Sequence, residues 1–207
     1  MEFSDVVRSR RMVRSFAAKP VERSIIRELI DLARRSPSAG HTQGTTFVVL
    51  DGVDVNRYWD TTLPADRRAD FPWPRLLNAP VLVLPCGDER AYVERYAEPD
   101  KAGTGLGESS DAWGIPYWHV DTAMATMTLL HAAGERELGA LFFGLFSNEA
   151  GVAEMVGLPA GVRPIGTVAL GWPDGDDRPS KSSRRKRRSL DDVVRWGSWD
   201  DATVQDA

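Results

Sequence analysis

Nine residues, Leu138 to Phe146 (LGALFFGLF), run without a charge and without polar alternation. Alternation marks a strand with one wet face, so its absence over so short a run fits a strand buried on both faces. The pattern predicts a central strand, and a chain built around one must supply helices to cover it. Val21 to Ser36 (VERSIIRELIDLARRS) places Ile25, Ile26, Leu29, Ile30, Leu32 and Ala33 at helical spacing. Ser36-Pro37 ends that helix, because the residue before proline avoids the helical region. Val120 to Ala133 predicts a second, almost uncharged helix that belongs inside, with Val120, Met124, Met127 and Leu130 or His131 turned inward. A shorter helix capped by Ser4 reaches about Arg10 with Val6 and Val7 inward, and another runs from Asn148 to Val156, ended by Gly157 and Pro159.

Phe47 to Leu50 and Val81 to Leu84 are short apolar, β-branched runs that read as neighbouring strands, and Pro164 to Leu170 reads as another. Tyr58 to Ala79 mixes tryptophan, proline and arginine. Glu98 to Pro116, rich in glycine, serine and charge, reads as a mobile excursion in which Gly103, Gly105 and Gly107 give solvent-exposed flexibility. Helices alternate with strands over uneven connections, which predicts an α+β or mixed α/β fold: one sheet with helices on both faces and an order the pattern leaves open. At 207 residues, 42% hydrophobic and 27% charged, the expectation is one domain over residues 1–199, with 200–207 as a disordered tail. No apolar run approaches the roughly 20 residues of a membrane span, and residues 1–20 have no apolar signal-peptide centre. A cytoplasmic protein without a membrane partner is expected.

Several chemistries lose their usual support. Cys86 is the single cysteine, which leaves no intrachain disulfide or multi-cysteine metal site, and its place after VLVLP suggests a buried thiol. His41, His119 and His131 lack the spacing of metal ligands, and no metal is expected. There is no G-x-S-x-G elbow and no G-x-x-x-x-G-K-[ST] loop. Arg178 to Arg188 holds seven basic residues and no acid; the rest of the chain then has 19 basic against 30 acidic residues, a balance of −11. That is not the spread of cations of a general nucleic-acid binder.

Two segments carry the functional reading. In RSRRMVRSF, Arg8 to Phe16, the permanently charged forks of Arg10, Arg11 and Arg14 lie within about one helical turn, suited to a phosphate and a nearby carbonyl; a solvated basic helix end is the alternative. PSAGHTQGTTFVVL, Pro37 to Leu50, is a small-residue loop that lets backbone approach a flat ligand. These motifs, with LGALFFGLF, RPIGTVALGWP and the basic run closing in RWGSW, resemble in order and spacing the nitroreductase family of flavoproteins, and the likeness runs from Val6 to about Trp199. The family usually has serine and asparagine where this chain has Met12 and His41; His41 can still donate through a ring N–H.

The resemblance implies a central, mostly antiparallel sheet flanked by helices in a homodimer, with one FMN in each of two sites at the interface. Arg10, Arg11, Met12 and Arg14 would come from one subunit, and Pro37, Ser38, Ala39, His41 and Gln43 from the other. Phe142, Phe143 and Gly144 would run past the flavin, and the helix at 120–133 would form much of the seam. The basic run resembles the pair that closes over the FMN phosphate, a role carried first onto Lys186 and Arg188, since alternate residues of an extended segment point one way; a polybasic tail on anionic surfaces is the alternative. Leu190, Val193, Val194, Trp196 and Trp199 argue that this end is packed. Trp113, Tyr117 and Trp118 would shape the acceptor pocket, or fill core. The implied activity is hydride transfer from NADH or NADPH through flavin N5 to a nitroaromatic, quinone or similar small acceptor, without a catalytic side chain; a non-catalytic flavin-binding or storage protein is the alternative.

Overall fold

The computed structural model describes residues 2–145, 148–178 and 180–199. Phe146, at the end of the apolar run, and the tail 200–207 lie outside the described residues. The chain divides into two compact units, Met1–Asp177 and Arg178–Ala207.

The first unit holds one sheet of five strands: β1 Thr45–Asp51, β2 Val81–Asp88, β3 Gly139–Phe143, β4 Val162–Pro164 and β5 Thr167–Gly171. The order is β1-β2-β5-β3, with β4 paired to β2, and every strand pair is antiparallel. The helices are α1 Phe3–Ser9, α2 Arg23–Ala33, α3 Val53–Thr62, α4 Ala65–Arg68, α5 Glu89–Ala97, α6 Tyr117–Glu135 and α7 Glu149–Val156. Side chains alternate faces along a strand, so Leu82, Leu84 and Cys86 enter a core with Val55, Tyr58 and Trp59 of α3 and Val152 of α7. Val81 and Val83 enter the opposite core with Ile26 and Leu29 of α2 and Leu129 and Ala133 of α6. This is the expected sheet with helices on both faces.

The apolar run at β3 is covered on both faces as expected, Ala140 toward α6 and Leu141 toward α3, but it is not central: β3 ends the strand order. The amino-terminal segment covers its outer edge through a parallel bridge between Met12 and Ala140, with Val13 N–H donating to Ala140 O at 2.9 Å. Other expectations change in detail. Glu2, not Ser4, precedes α1, and Val7 is exposed while Val6 is buried. The expected strand 164–170 is two strands, broken where Gly166 sits at φ 156°. Asn148 precedes α7 but its amide donates to Thr62 O instead of capping the helix. Residues 98–116 are not a free excursion: Trp113 is buried, and a Cβ on Gly107 would lie 2.4 Å from the Ala97 backbone.

The face of α6 is the largest correction. Val120, Met124 and Met127 are exposed, and the buried side consists of Trp118, Asp121, Thr122, Ala125, Thr126, Leu129, Leu130, Ala132 and Ala133. Contact with the sheet selects this side. Gly87 of β2 admits the α6 backbone so closely that a Cβ there would meet Trp118 O at 2.4 Å.

In the second unit a short turn, Lys181–Arg184, precedes a segment in which Ser189 N–H and Oγ both donate to Asp192 Oδ2, at 3.1 and 2.8 Å. Leu190, Val193, Trp196 and Trp199 are exposed, contrary to the expectation that this end is packed.

Gly87→Ala is expected to destabilise the fold by about 1–3 kcal/mol through overpacking against backbone that cannot yield. Gly134→Ala, inside α6 with open space around its Cα, should instead stabilise by about 0.5–1 kcal/mol. Urea unfolding of the two variants checks both signs.

Candidate functional site

The arginine segment is fixed from both sides. Beyond Val13, Arg14 N–H donates to Asp177 Oδ1 at 2.8 Å. Ser15 Oγ donates to Asp174 Oδ2 at 2.8 Å, an oxygen that also accepts from Arg75 Nη1 at 2.6 Å. Phe16 is fully buried behind them. With the backbone held, the guanidinium groups have defined places. Arg10 is half-buried, and its Nη1 is buried without a partner among the described residues. Arg14 Nη1 donates to Met12 O at 3.1 Å and the guanidinium lies 5.6 Å from the Trp73 ring centre. Arg11 is exposed. Met12 packs into both cores and contributes backbone to the bridge. His131 of α6 has a buried, unpartnered Nε2; burial first, and then the Arg10 charge, hold its imidazole below the ordinary histidine value.

Arg14 opens onto a cavity of about 320 Å³ that Trp59, Trp73, Phe142, Phe143 and Gly144 also line. Phe143 stacks on Trp59 with ring centres 6.0 Å apart and planes within 6°. Beneath them Tyr58 shares a 2.8 Å hydrogen bond with Thr167, and burial pushes its phenol up to about 12. An apolar, aromatic slot with one cation at its wall suits a flat, anionic ligand.

The loop from Pro37 to Gln43 lies among other elements. Gly40, His41 and Gln43 have φ of 60°, 55° and 55°, a region costly for the two non-glycine residues. The strain is held locally. Asp121 Oδ2 accepts from Ala39 N–H at 2.8 Å, Arg95 Nε donates to Gly40 O at 2.9 Å, and Gln43 N–H donates to Ser38 Oγ at 2.9 Å. A Cβ on Gly40 would meet the Tyr96 ring at 2.8 Å. Pro37, His41 and Gln43 remain exposed.

Beside this loop stands an aromatic cluster. Tyr92, Trp113 and Trp118 are packed edge to face, and Trp113 and Trp118 are 8% and 7% exposed, so most of each ring fills core. Tyr117 and Ile115 are exposed and, with Ala39, Tyr96 and Trp113, line an open recess of about 460 Å³.

The expected site residues therefore fall into separate groups. Arg14 lines one recess with Phe142, Phe143 and Gly144, and Met12 packs against the cores beside it; Ala39 lines another with Trp113 and Tyr117, while Arg10, Ser38, His41 and Gln43 line neither. The two recesses share no lining residue. Lys186 and Arg188 belong to the second unit, both exposed, and Arg188 donates to Asp192 O. Asp121 and Tyr92 were missed. The available signal was a lone acid in the otherwise nearly uncharged stretch 120–133. Among the described residues no group of three or more His, Cys, Asp or Glu side chains could hold a metal, and no helix is long and apolar enough to cross a membrane.

The nitroreductase family pattern matches residues 7–172. Among curated relatives, an NADH dehydrogenase of Thermus thermophilus is 27% identical over 205 residues, covering 90% of this chain and 92% of that one. A 4-nitrobenzoate reductase of Pseudomonas putida is 47% identical over 51 residues, a quarter (25%) of this chain and 22% of that protein. Among solved structures, a protein of Exiguobacterium sibiricum described as a nitroreductase in complex with FMN superposes with a TM-score of 0.73 at 18% identity, covering 95% of this chain and 97% of that one. A fold shared at that distance, with the family pattern running through four-fifths of the sequence, means that this chain belongs to the nitroreductase family.

Proposed function

We propose that the protein is an FMN-dependent oxidoreductase that works as a homodimer with a flavin at each of two sites on the seam. The observation that carries this reading is the cavity shared by Arg14 and Phe142–Gly144; on the same amino-terminal segment a buried Arg10 N–H has no partner among the described residues. Bound FMN would supply the redox chemistry, taking a hydride at N5 from NADH or NADPH and passing it to a nitroaromatic, quinone or similar acceptor. The residues of this chain bind and orient. Arg10 offers a donor of the kind a phosphate takes, and Arg14 sets a permanent cation against the slot, which favours an anionic bound species over a neutral one. Cys86 is no nucleophile: burial pushes its thiol up to about 12.

The dimer is supported by the exposed apolar face. Phe3, Leu32, Met124 and Met127 are exposed and line one recess, and contiguous apolar surface of this kind marks association. On this reading a second copy covers that face and brings its Pro37–Gln43 loop to the slot. For the acceptor wall, Tyr117 is the aromatic residue left accessible, while Trp118 is buried beneath it.

Purified protein should carry, or take up, one FMN per chain and oxidise NADH or NADPH with a quinone or nitroaromatic. Bound flavin without turnover would leave a flavin-holding protein instead. Arg10→Ala and Arg14→Ala should each weaken FMN by about 1.5 kcal/mol or more, roughly tenfold, measured by flavin titration. The double variant Met124→Glu, Met127→Glu should run as a single chain in sedimentation and lose its flavin. Tyr117→Ala should raise the acceptor KM with FMN retained, whereas Trp118→Ala should cost about 3–5 kcal/mol of stability as a core truncation.

A further inference from the structure

We propose that Asp121 and Arg95 are positioning residues that preset the Ala39–Gln43 loop in its left-handed conformation, so that the loop meets the cofactor already ordered. The inference rests on the reading that this loop faces a flavin. Asp121 is a carboxylate at 2% exposure on α6, and a single oxygen, Oδ2, accepts from both Ala39 N–H at 2.8 Å and Tyr92 O–H at 2.7 Å. A buried carboxylate is retained only where hydrogen bonds compensate its lost hydration. Here one of its two partners is the backbone of the very loop that carries the strain.

Arg95 of α5 grips the next residue. Its Nε donates to Gly40 O, while Nη1 and Nη2 are tied to Asp100 at 2.7 and 2.8 Å. The guanidinium is thereby braced before it reaches the loop. Tyr96 closes the remaining side, so near Gly40 that only a glycine fits. Left-handed φ at His41 and Gln43 would relax in a free loop; Ser38 Oγ holds the Gln43 N–H from within, and the contacts from outside, to Ala39 N–H and Gly40 O, come from α6 and α5. Binding to a preset loop does not spend free energy on ordering it. The same Asp121 oxygen reaches the aromatic cluster through Tyr92, whose ring meets Trp113 and Trp118 at 5.8 and 6.2 Å. Cofactor loop and recess wall thus share one anchor.

The test uses the full chain. In Asp121→Ala both donors lose their acceptor, and the Ala39 amide of the flavin-free protein should exchange with solvent at least about tenfold faster, with the FMN Kd raised at least about tenfold. Asp121→Asn should restore most of both, because an amide oxygen in the place of Oδ2 can accept both bonds. Arg95→Met, at a partly exposed position that leaves the core intact, should raise the FMN Kd in the same direction. Loss of Ala39 protection with wild-type FMN affinity would overturn the proposal, as would unchanged exchange. If Asp121→Ala does not fold, wild-type affinity in Arg95→Met overturns it alone. Should the unaltered protein take up no FMN at all, the proposed function falls, while amide exchange in the flavin-free variants still decides whether these residues hold the loop.

Discussion

Double-sided burial of the sheet is the constraint from which the rest follows. Antiparallel sheets often keep one face in water, but β2 sends Val81 and Val83 into one core and Leu82, Leu84 and Cys86 into the other. Helices must therefore seat on both faces, and where they seat is decided by backbone contact. At Gly87 the sheet takes α6 directly against its main chain. Asp121 lies one turn beyond Trp118 on the same helix, so this contact also fixes the carboxylate that holds Ala39. The site is a consequence of how α6 sits.

That helix departs from ordinary amphipathicity, with three polar side chains among the six apolar residues of its buried side. Its buried side carries Asp121, Thr122 and Thr126, and its exposed side carries Val120, Met124 and Met127. The buried polar groups are satisfied: Thr122 and Thr126 donate back to Trp118 O and Thr122 O at 2.7 Å, and Thr45 and Thr122 hydroxyls meet at 2.9 Å. These buried side chains are therefore hydrogen-bonded, whereas His119 Nδ1 and His131 Nε2 of the same helix are buried without a partner among the described residues. Apolar residues outside are harder to explain for a lone chain and easy to explain for a paired one.

This departure also marks the limit of what the sequence discloses. Periodicity assigns α2 and the β1–β2 neighbours because their patterns follow from burial alone: Ile26, Leu29 and Ala33 do face the core. It misassigns α6, since a pattern of apolar residues cannot say whether its face meets this chain's core or another's. Burial of Leu138–Leu145 on both faces was legible, whereas its place at the end of the strand order was not, because order is set by pairing between distant segments. Similarly, α3 was not foreseen: Asp54 and Arg57 pair at 2.8 Å on its wet side and dilute the apolar signal of Val55, Tyr58 and Trp59. Of the candidate site, the arginines and the loop stand out in the sequence as motifs. Their anchors, Asp174, Asp177, Arg95 and Asp121, do not, since each acts on backbone far from it in sequence.

The distribution of unmet cost within the chain bears on the proposed dimer. Among the described residues Arg10 holds a buried N–H without an acceptor, a defect of about 1–3 kcal/mol when a buried donor goes unpaired. His41 and Gln43 hold left-handed φ on the loop. Both burdens sit on segments that the proposed function gives to the cofactor, and the recess that Arg14 lines shares no residue with the one that Ala39 lines. A flavin phosphate would relieve the first, and contact across the seam would use the second. If one ligand touches both groups only when two copies meet, flavin binding and association are a single linked equilibrium: each raises the apparent affinity of the other by mass action. A lone chain would then bear both costs unrelieved, which favours the pair well before any interface area is counted.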